Sequence, residues 1–486
     1  MFRRGIVISL VLTTAAVAAG PSRMERRLAE LRKSPPELYA FLYKMPKGGD
    51  LHNHLSGAIY AEGFLEAAAD ERLCIDKSAM ALAPCTTGLV SAAAIRTDNS
   101  LRNALIDSFS MRDFVPGKQS AHDHFFDAFD KFGAVNSSEL VAEVAARAAD
   151  QNESYLELMA ISGSQFSALG QSVGLTDDLT ATRAKLEAGG LAKQVATAKA
   201  RVDRMEQTRL TRLGCGQNPT SAACRLQVRY VYQVLREFPK EQVFAQIIGG
   251  FALAAADPRV VAVNLVQPED GYNSMHDYHL HMKMVDFAKS IYPGVHITLH
   301  AGELAPGLVP PDGLTFHIRE AVELGHAERI GHGVSVMYEK DSTGLLREMR
   351  DRHIAVEINL TSNDLILGVK GDEHPLPVYR RYGVPVALST DDEGVSRSQL
   401  TEEFERAVST YKLTYADLKE MVRNSIEYSF APGTSYWKDR RYGAVAVACA
   451  SGRKTAACGA YLEKNEKARL GADLEDRFAA FEHASN

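Results

Sequence analysis

Beyond its first twenty residues, the sequence has no run approaching the ~18 uninterrupted apolar residues that a membrane-spanning helix needs. Positive charge is not in excess: 55 Lys+Arg stand against 61 Asp+Glu, a net −6, which leaves no global basic field of the kind nucleic-acid binders use. No two cysteines are spaced as Cys-x2–4-Cys, which argues against a cysteine-based zinc site. The helical His-Glu-x-x-His pattern of zinc proteases is missing too. There is no internal repeat and no low-complexity tract. What remains is globular in composition, with 45% hydrophobic and 24% charged residues. A length of 486 residues allows about three domains at ~150 residues each, or a single α/β barrel enlarged by insertions. A chain of this size buries enough core to need no staples for basic stability.

The six cysteines therefore need another explanation, and the N-terminus suggests one. Arg3 and Arg4 precede an apolar stretch from Gly5 to Ala16, followed by the small-residue sites Ala16-Val17-Ala18 and Val17-Ala18-Ala19. This reads as a removable signal peptide over residues 1–19, with export to a periplasm or the medium. No cysteine follows the cleavage region to carry a lipid. The cysteines fall in local couples, Cys74 with Cys85, Cys215 with Cys224 and Cys449 with Cys458. Six cysteines allow fifteen connectivities, yet in an oxidising compartment three loop-stapling disulfides are the expectation.

Along the mature chain, short apolar runs alternate with longer helical patterns, which predicts βα units and a parallel sheet. Eight candidate strands cover residues 50–55, 154–161, 226–234, 260–266, 296–300, 329–331, 354–360 and 384–389. Eight such units close a (β/α)8 TIM barrel, whose active site lies at the C-terminal ends of the strands. The expected organisation is one barrel domain over 20–486, with helical insertions at about 62–136 and 164–225, after strands 1 and 2, and a helical C-terminal extension at about 431–486.

The chemistry-bearing residues gather at the predicted strand ends. His52-Asn53-His54 closes the first strand; positions i and i+2 of a strand share a face, so both imidazoles suit one metal ion. The same spacing at His122/His124 and His279/His281 falls in helical patterns, where such pairs point about 200° apart; these are expected to be surface or rim histidines. His300-Ala301-Gly302-Glu303 ends the fifth strand, offering a further ligand and an acid/base. His296 lies four residues earlier and is expected to pack away from the metal. Gly331-His332-Gly333 ends the sixth strand and Ser389-Thr390-Asp391-Asp392 the eighth. Burying adjacent carboxylates is costly unless they bind a metal or a partner.

These four motifs, in this order and headed by Met45-Pro46-Lys47-Gly48-Gly49-Asp50-Leu51-His52-Asn53-His54-Leu55, resemble the signature of the adenosine deaminase family, within the metal-dependent hydrolase barrels. Export, the enlarged segment after strand 1 and the cysteine couples further resemble its secreted, growth-factor-related branch. The resemblance implies one Zn2+ per chain on His52, His54, His300 and Asp391, with Glu303 protonating purine N1. It also implies that His332 orients the attacking hydroxide and that Asp392 bonds N7. His54, Ser56, Gln267 and Gly302 join Asp392 as the implied substrate-contacting positions. The activity implied is hydrolytic deamination of adenosine and 2′-deoxyadenosine, distinct from the nucleobase deaminases marked by H-x-E…P-C-x-x-C, a pattern not found here.

Three positions depart from the family pattern. Ser56 stands where an Asp commonly holds the ribose 5′-hydroxyl, Gln267 where a Gly offers its N–H to N3, and Glu393 where a Pro follows the paired Asp. Alternatives are a deaminase of adenine, AMP or an N6-substituted nucleoside, or a barrel that binds nucleoside without turnover. A nucleotide enzyme should gather Arg or Lys at the barrel mouth, where the sequence offers only Arg397 after the eighth strand. The expected partner is a small purine nucleoside, with no nucleic acid, no membrane once the signal is removed, and self-association left open.

Overall fold

A computed structural model describes residues 22–117 and 119–485; the expected signal peptide lies outside the described residues. Eight parallel strands form one sheet in sequential order: β1 (Gly48–His54), β2 (Glu153–Ser162), β3 (Gln227–Leu235), β4 (Val260–Val266), β5 (His296–Ala301), β6 (Arg329–His332), β7 (Ala355–Ile358) and β8 (Val386–Leu388). All seven residues of β4, Val-Val-Ala-Val-Asn-Leu-Val, are buried, as expected of a parallel strand covered on both faces. Helices follow the strands on the outside, and the expected (β/α)8 barrel is formed. It closes at one bridge between Asn53 and Asp391. There Asp391 N donates to His52 O at 2.8 Å and His54 N to Asp391 O at 2.9 Å. Asp50 Oδ2 reinforces the seam by accepting from Thr390 Oγ1 at 2.5 Å.

Two predicted strands are shorter than their apolar runs. The seventh stops at Ile358, because Leu360 already opens α3 (Leu360–Leu367), a helix introduced out of its strand's continuing hydrophobicity. The eighth begins after Pro385, which has no N–H for the ladder.

The segment after β1 is not purely helical. It carries a three-stranded antiparallel sheet of Cys74–Asp76, Ala81–Ala83 and Val90–Ser91, and then α1 (Ala121–Phe132), whose N-cap Ser120 accepts from Asp123 N. These strands, two or three residues long, are too short to show a period of two. After β2 comes α2 (Leu191–Arg212), and the chain ends its described part with α4 (Glu466–Ala484). Disulfides join Cys74 to Cys85, Cys215 to Cys224 and Cys449 to Cys458, one in each of the two insertions and one in the tail. Mass spectrometry with alkylation should find no free thiol before reduction and six after it; six alkylated cysteines in the unreduced protein would contradict the pairing. No described helix is long and apolar enough to cross a membrane.

Candidate metal centre

The C-terminal ends of β1, β5, β6 and β8 bring His52, His54, His300, His332 and Asp391 together, all buried. Asp391 Oδ1 lies 3.4 Å from His52 Nε2 and 3.3 Å from His54 Nε2. Asp391 Oδ2 lies 3.9 Å from His332 Nε2 and accepts from Ser362 Oγ at 2.6 Å. Three of the four imidazoles are tied from behind. His52 Nδ1 donates to Glu357 Oε2 at 2.6 Å, His54 Nδ1 to Gln233 Oε1 at 2.9 Å and His300 Nδ1 to Asn264 Oδ1 at 3.0 Å. Each bond fixes the ring proton on Nδ1 and leaves the Nε2 lone pair facing inward, the arrangement of metal-binding histidines.

The inward nitrogens have nothing else to meet. His52 Nε2 is buried without a hydrogen-bond partner, and His54 Nε2 faces His300 Nε2 at 3.2 Å with no proton between them. Burial holds His54 at about 4 and His300 well below the usual imidazole value, as suits ligands; at His52 burial is outweighed by Asp391 and Glu357, which push it up to about 10, a proton that a bound cation would displace. Convergent lone pairs beside a carboxylate call for a cation: His52, His300, His332 and Asp391 offer ligand atoms within 4.8 Å of one another, as do His54, Asp391 and Asp392, donor sets that fit a metal ion.

Glu303 stands beside this centre, its Oε1 3.6 Å from His332 Nδ1. Burial, then the Asp391 charge, pushes its carboxyl well above the usual range, toward the protonated acid. Its backbone is clamped by Glu269, whose two oxygens accept from Gly302 N at 2.9 Å and Glu303 N at 2.7 Å. Glu269 is itself held by His317 Nδ1 at 2.5 Å. Burial would raise Glu269, but the His317 bond outweighs it and holds the carboxyl at about 2. Asp392 is raised too, by burial first and by Asp391 second; its Oδ1 is buried and unpartnered. Room for it depends on Gly57, where an added Cβ would sit 1.6 Å from that oxygen.

Gln267 (φ 83°), His332 (φ 67°) and Asp391 (φ 63°) all take left-handed backbone at strand ends, a strain of order 1–3 kcal/mol each that concentrates at functional sites. The Gln267 side chain does not simply crowd the cavity: its Oε1 accepts from Glu237 N at 3.0 Å, and its own carbonyl receives Arg236 Nε and Nη2 at 3.0 and 2.8 Å. Glu393 is tied to Arg147 Nη2 at 2.9 Å. Asn53 Nδ2 also reaches Glu393 Oε1, at 3.4 Å.

A cavity of about 450 Å3 opens over the centre, lined by Ser56, His54, Gln267, Glu303, Asp391 and Asp392 and covered by Phe126, Asp127, Phe129 and Asp130 of α1. His122 lies at this rim, joined to Asp270 at 3.1 Å, and His124 Nε2 faces the Asp107 and Ser110 carbonyls at 3.1 Å. His296 is turned to Glu328 at 2.8 Å, away from the centre. His279 is exposed as expected, but His281 is fully buried: it sits on the core face of its helix, so the expected surface position is corrected. Sequence reasoning missed Glu357, Gln233, Asn264, Glu269, Asn363 and His374; each is a polar residue in or beside an apolar element, a buried-polar signal that could have been pursued.

The fold and site define a metal-binding β/α barrel, with the centre at the strand C-termini. The adenosine deaminase family profile matches residues 118–438, and the chain belongs to that family. An adenosine deaminase of Clostridium perfringens is 37% identical over 138 residues, which are 28% of this chain and 38% of the relative. The chain thus aligns with well under half of that relative's length. The fold is shared with an Arabidopsis N6-mAMP deaminase (22% identity, TM-score 0.52, 81% of this chain and 95% of that one). It is also shared with a Zn-bound amidohydrolase from Burkholderia ambifaria (17% identity, TM-score 0.51, 91% and 94%).

Proposed function

We propose that the chain hydrolytically removes the C6 amine of adenosine and 2′-deoxyadenosine, releasing ammonia and leaving inosine and 2′-deoxyinosine. The carrying observation is the pairing of three back-bonded imidazoles and Asp391 with a buried Glu303 at the same cavity, its carboxyl shifted toward the acid form by burial. His52, His54, His300 and Asp391 would hold one zinc ion. Such an ion acidifies water to a pKa of about 7, so that a nucleophile is present at neutral pH.

The protein's own groups supply the rest. Glu303, protonated, donates to purine N1 and makes C6 electrophilic. Asp392, kept neutral by burial, can donate to N7, which only accepts. His332 orients the attacking oxygen, and Gln267 borders the ring, whereas Gly302 is outside the cavity lining and gives its N–H to Glu269 Oε1 at 2.9 Å.

The cavity chemistry favours a nucleoside over a nucleotide. Among the described residues, its lining holds no Arg or Lys, whereas Asp127 and Asp130 stand at its cover. Arg397, the one cation after β8 noted in the sequence, is engaged by Glu62 at 2.6 and 3.1 Å and is not in the lining. A phosphate there would face carboxylates without a counter-charge. Export is supported by three disulfides, which suit an oxidising compartment.

The test is ammonia release from adenosine, deoxyadenosine, adenine, AMP and N6-methylated analogues, with and without chelator. Adenosine and deoxyadenosine should be turned over at least about tenfold more efficiently than AMP, a difference of ~1.4 kcal/mol, and chelation should abolish the reaction. Faster turnover of AMP would overturn the substrate assignment.

A further inference from the structure

His332 is the exception among the four imidazoles, because no oxygen lies within hydrogen-bond distance of its Nδ1; the nearest, Glu303 Oε1, stands at 3.6 Å. Its Nδ1 meets Asn363 Nδ2 at 2.9 Å. Asn363 Oδ1 meets His374 Nε2 at 3.0 Å, and His374 Nδ1 meets the backbone N–H of Leu376 at 3.1 Å. All three side chains are essentially buried: His332 and Asn363 are 0% exposed and His374 2%.

The last contact sets the direction of all the others. A backbone N–H can only donate, so His374 Nδ1 accepts, and the ring proton of the neutral imidazole is on Nε2. That N–H must meet an acceptor, which orients Asn363 with its oxygen toward His374 and its NH2 toward His332. His332 Nδ1 then accepts, and its single proton is on Nε2, the nitrogen that faces Asp391 Oδ2. Asn359 Nδ2 lies 3.4 and 3.5 Å from the two ring nitrogens, nearly equidistant, and so favours neither tautomer. Both rings are neutral on this geometry, because each Nδ1 accepts a hydrogen bond and so carries no proton.

We infer that the buried relay Leu376 N–H, His374, Asn363, His332 fixes His332 as its Nε2–H tautomer, making it a hydrogen-bond donor to the centre and barring it from the ligand set. Distance alone does not exclude it, since His52, His300, His332 and Asp391 offer ligand atoms within 4.8 Å of one another. The proton decides: a protonated nitrogen has no lone pair for a metal, whereas it can hold the oxygen that attacks C6. Asn363 and His374 are positioning residues that act through His332. What His332 holds rests on the deaminase reading; the tautomer itself does not.

The experiment is a ring 15N–1H correlation spectrum of the histidine-labelled, metal-loaded chain, together with kinetics and metal analysis of Asn363→Asp. In the wild type, His332 should carry its proton on Nε2. A carboxylate at 363 accepts from both sides and draws the His332 proton to Nδ1. In Asn363→Asp the tautomer should reverse, and metal stoichiometry should hold. Its kcat should fall by about 10^3–10^4-fold, as when a protease histidine is held in the wrong tautomer, while KM changes by no more than a few-fold. His374→Gln, whose amide can still donate to Asn363, should recover activity that His374→Leu loses. An Nδ1–H on wild-type His332, or wild-type kcat in Asn363→Asp, would overturn the inference. So would loss of metal in step with activity. A wild-type spectrum showing Nε2–H in a protein that deaminates no 6-aminopurine would uphold the relay and remove the deaminase reading.

Discussion

Glu303→Gln is expected to lower kcat by about 10^2–10^4-fold, the range general acid catalysis contributes, with metal content and melting temperature unchanged. Gln matches Glu in size, so the turn held by Glu269 through Gly302 N and Glu303 N is preserved. The amide can still offer an N–H to purine N1 but cannot transfer its proton as C6 becomes tetrahedral. Burial and the Asp391 charge both oppose ionisation of Glu303 and so favour its acid form. Ammonia release, metal analysis and thermal unfolding on the same preparation check the prediction. Turnover near the wild-type rate would remove Glu303 from the mechanism.

Glu357→Gln should weaken both the metal centre and the fold. One Glu357 oxygen accepts from His52 Nδ1 at 2.6 Å; the other accepts from Arg329 Nε at 2.5 Å and Thr298 Oγ1 at 2.8 Å. Arg329 is 1% exposed and also pairs with Glu157 at 2.5 Å. Losing the carboxylate leaves the guanidinium short of charge in a dry interior, a change costing about 3–5 kcal/mol. Removing the group that orients a metal-binding histidine costs about 10–100-fold in metal affinity. Burial raises the Glu357 pKa, but Arg329 and then His52 outweigh it and hold the carboxyl at about 2. Against about 4.3 in an unfolded chain, that depressed value gives stability that is complete above pH 4.3 and lost as pH falls toward 2. Wild type and variant should therefore differ most at neutral pH and converge in acid. Chemical denaturation at several pH values, with zinc titration by a competing chelator, measures both effects; equal stability at pH 7 would contradict the account.

Much of the site could be read from the chain because strand geometry makes it local. His52 and His54 are two residues apart, and only a strand puts such a pair on one face; Gly331 and Gly333 flank His332 just as visibly. The residues that set proton positions could not be read this way. Glu357 and Asn264 are single polar residues inside apolar strands, Gln233 follows the Tyr-Val-Tyr run of β3, and their partners lie on other strands. Gln267 was visible only as a departure from the family's Gly; the structure shows its side chain tied to Glu237 N. His281 shows the limit of spacing: the pattern identified its helix but not the buried face on which it sits. The small sheet fastened by Cys74 and Cys85 was illegible because two-residue strands have no period to detect.

The barrel's seam sets a timetable for metal acquisition. The first and last strands meet at the Asn53–Asp391 bridge, and the carbonyl and amide of Asp391 are paired with His54 and His52, so the donors that converge there come from opposite ends of the barrel's sequence. Before β8 docks, no segment offers more than a pair of neighbouring imidazoles. A ribosome or translocation pore would release nearly the whole barrel before a complete set of ligands exists. Loading is therefore a late event, and the ion captured is the one on hand where the finished chain folds. Under the proposed export that place is the destination rather than the cytoplasm, and the supply of metal there would decide how much of the protein is loaded.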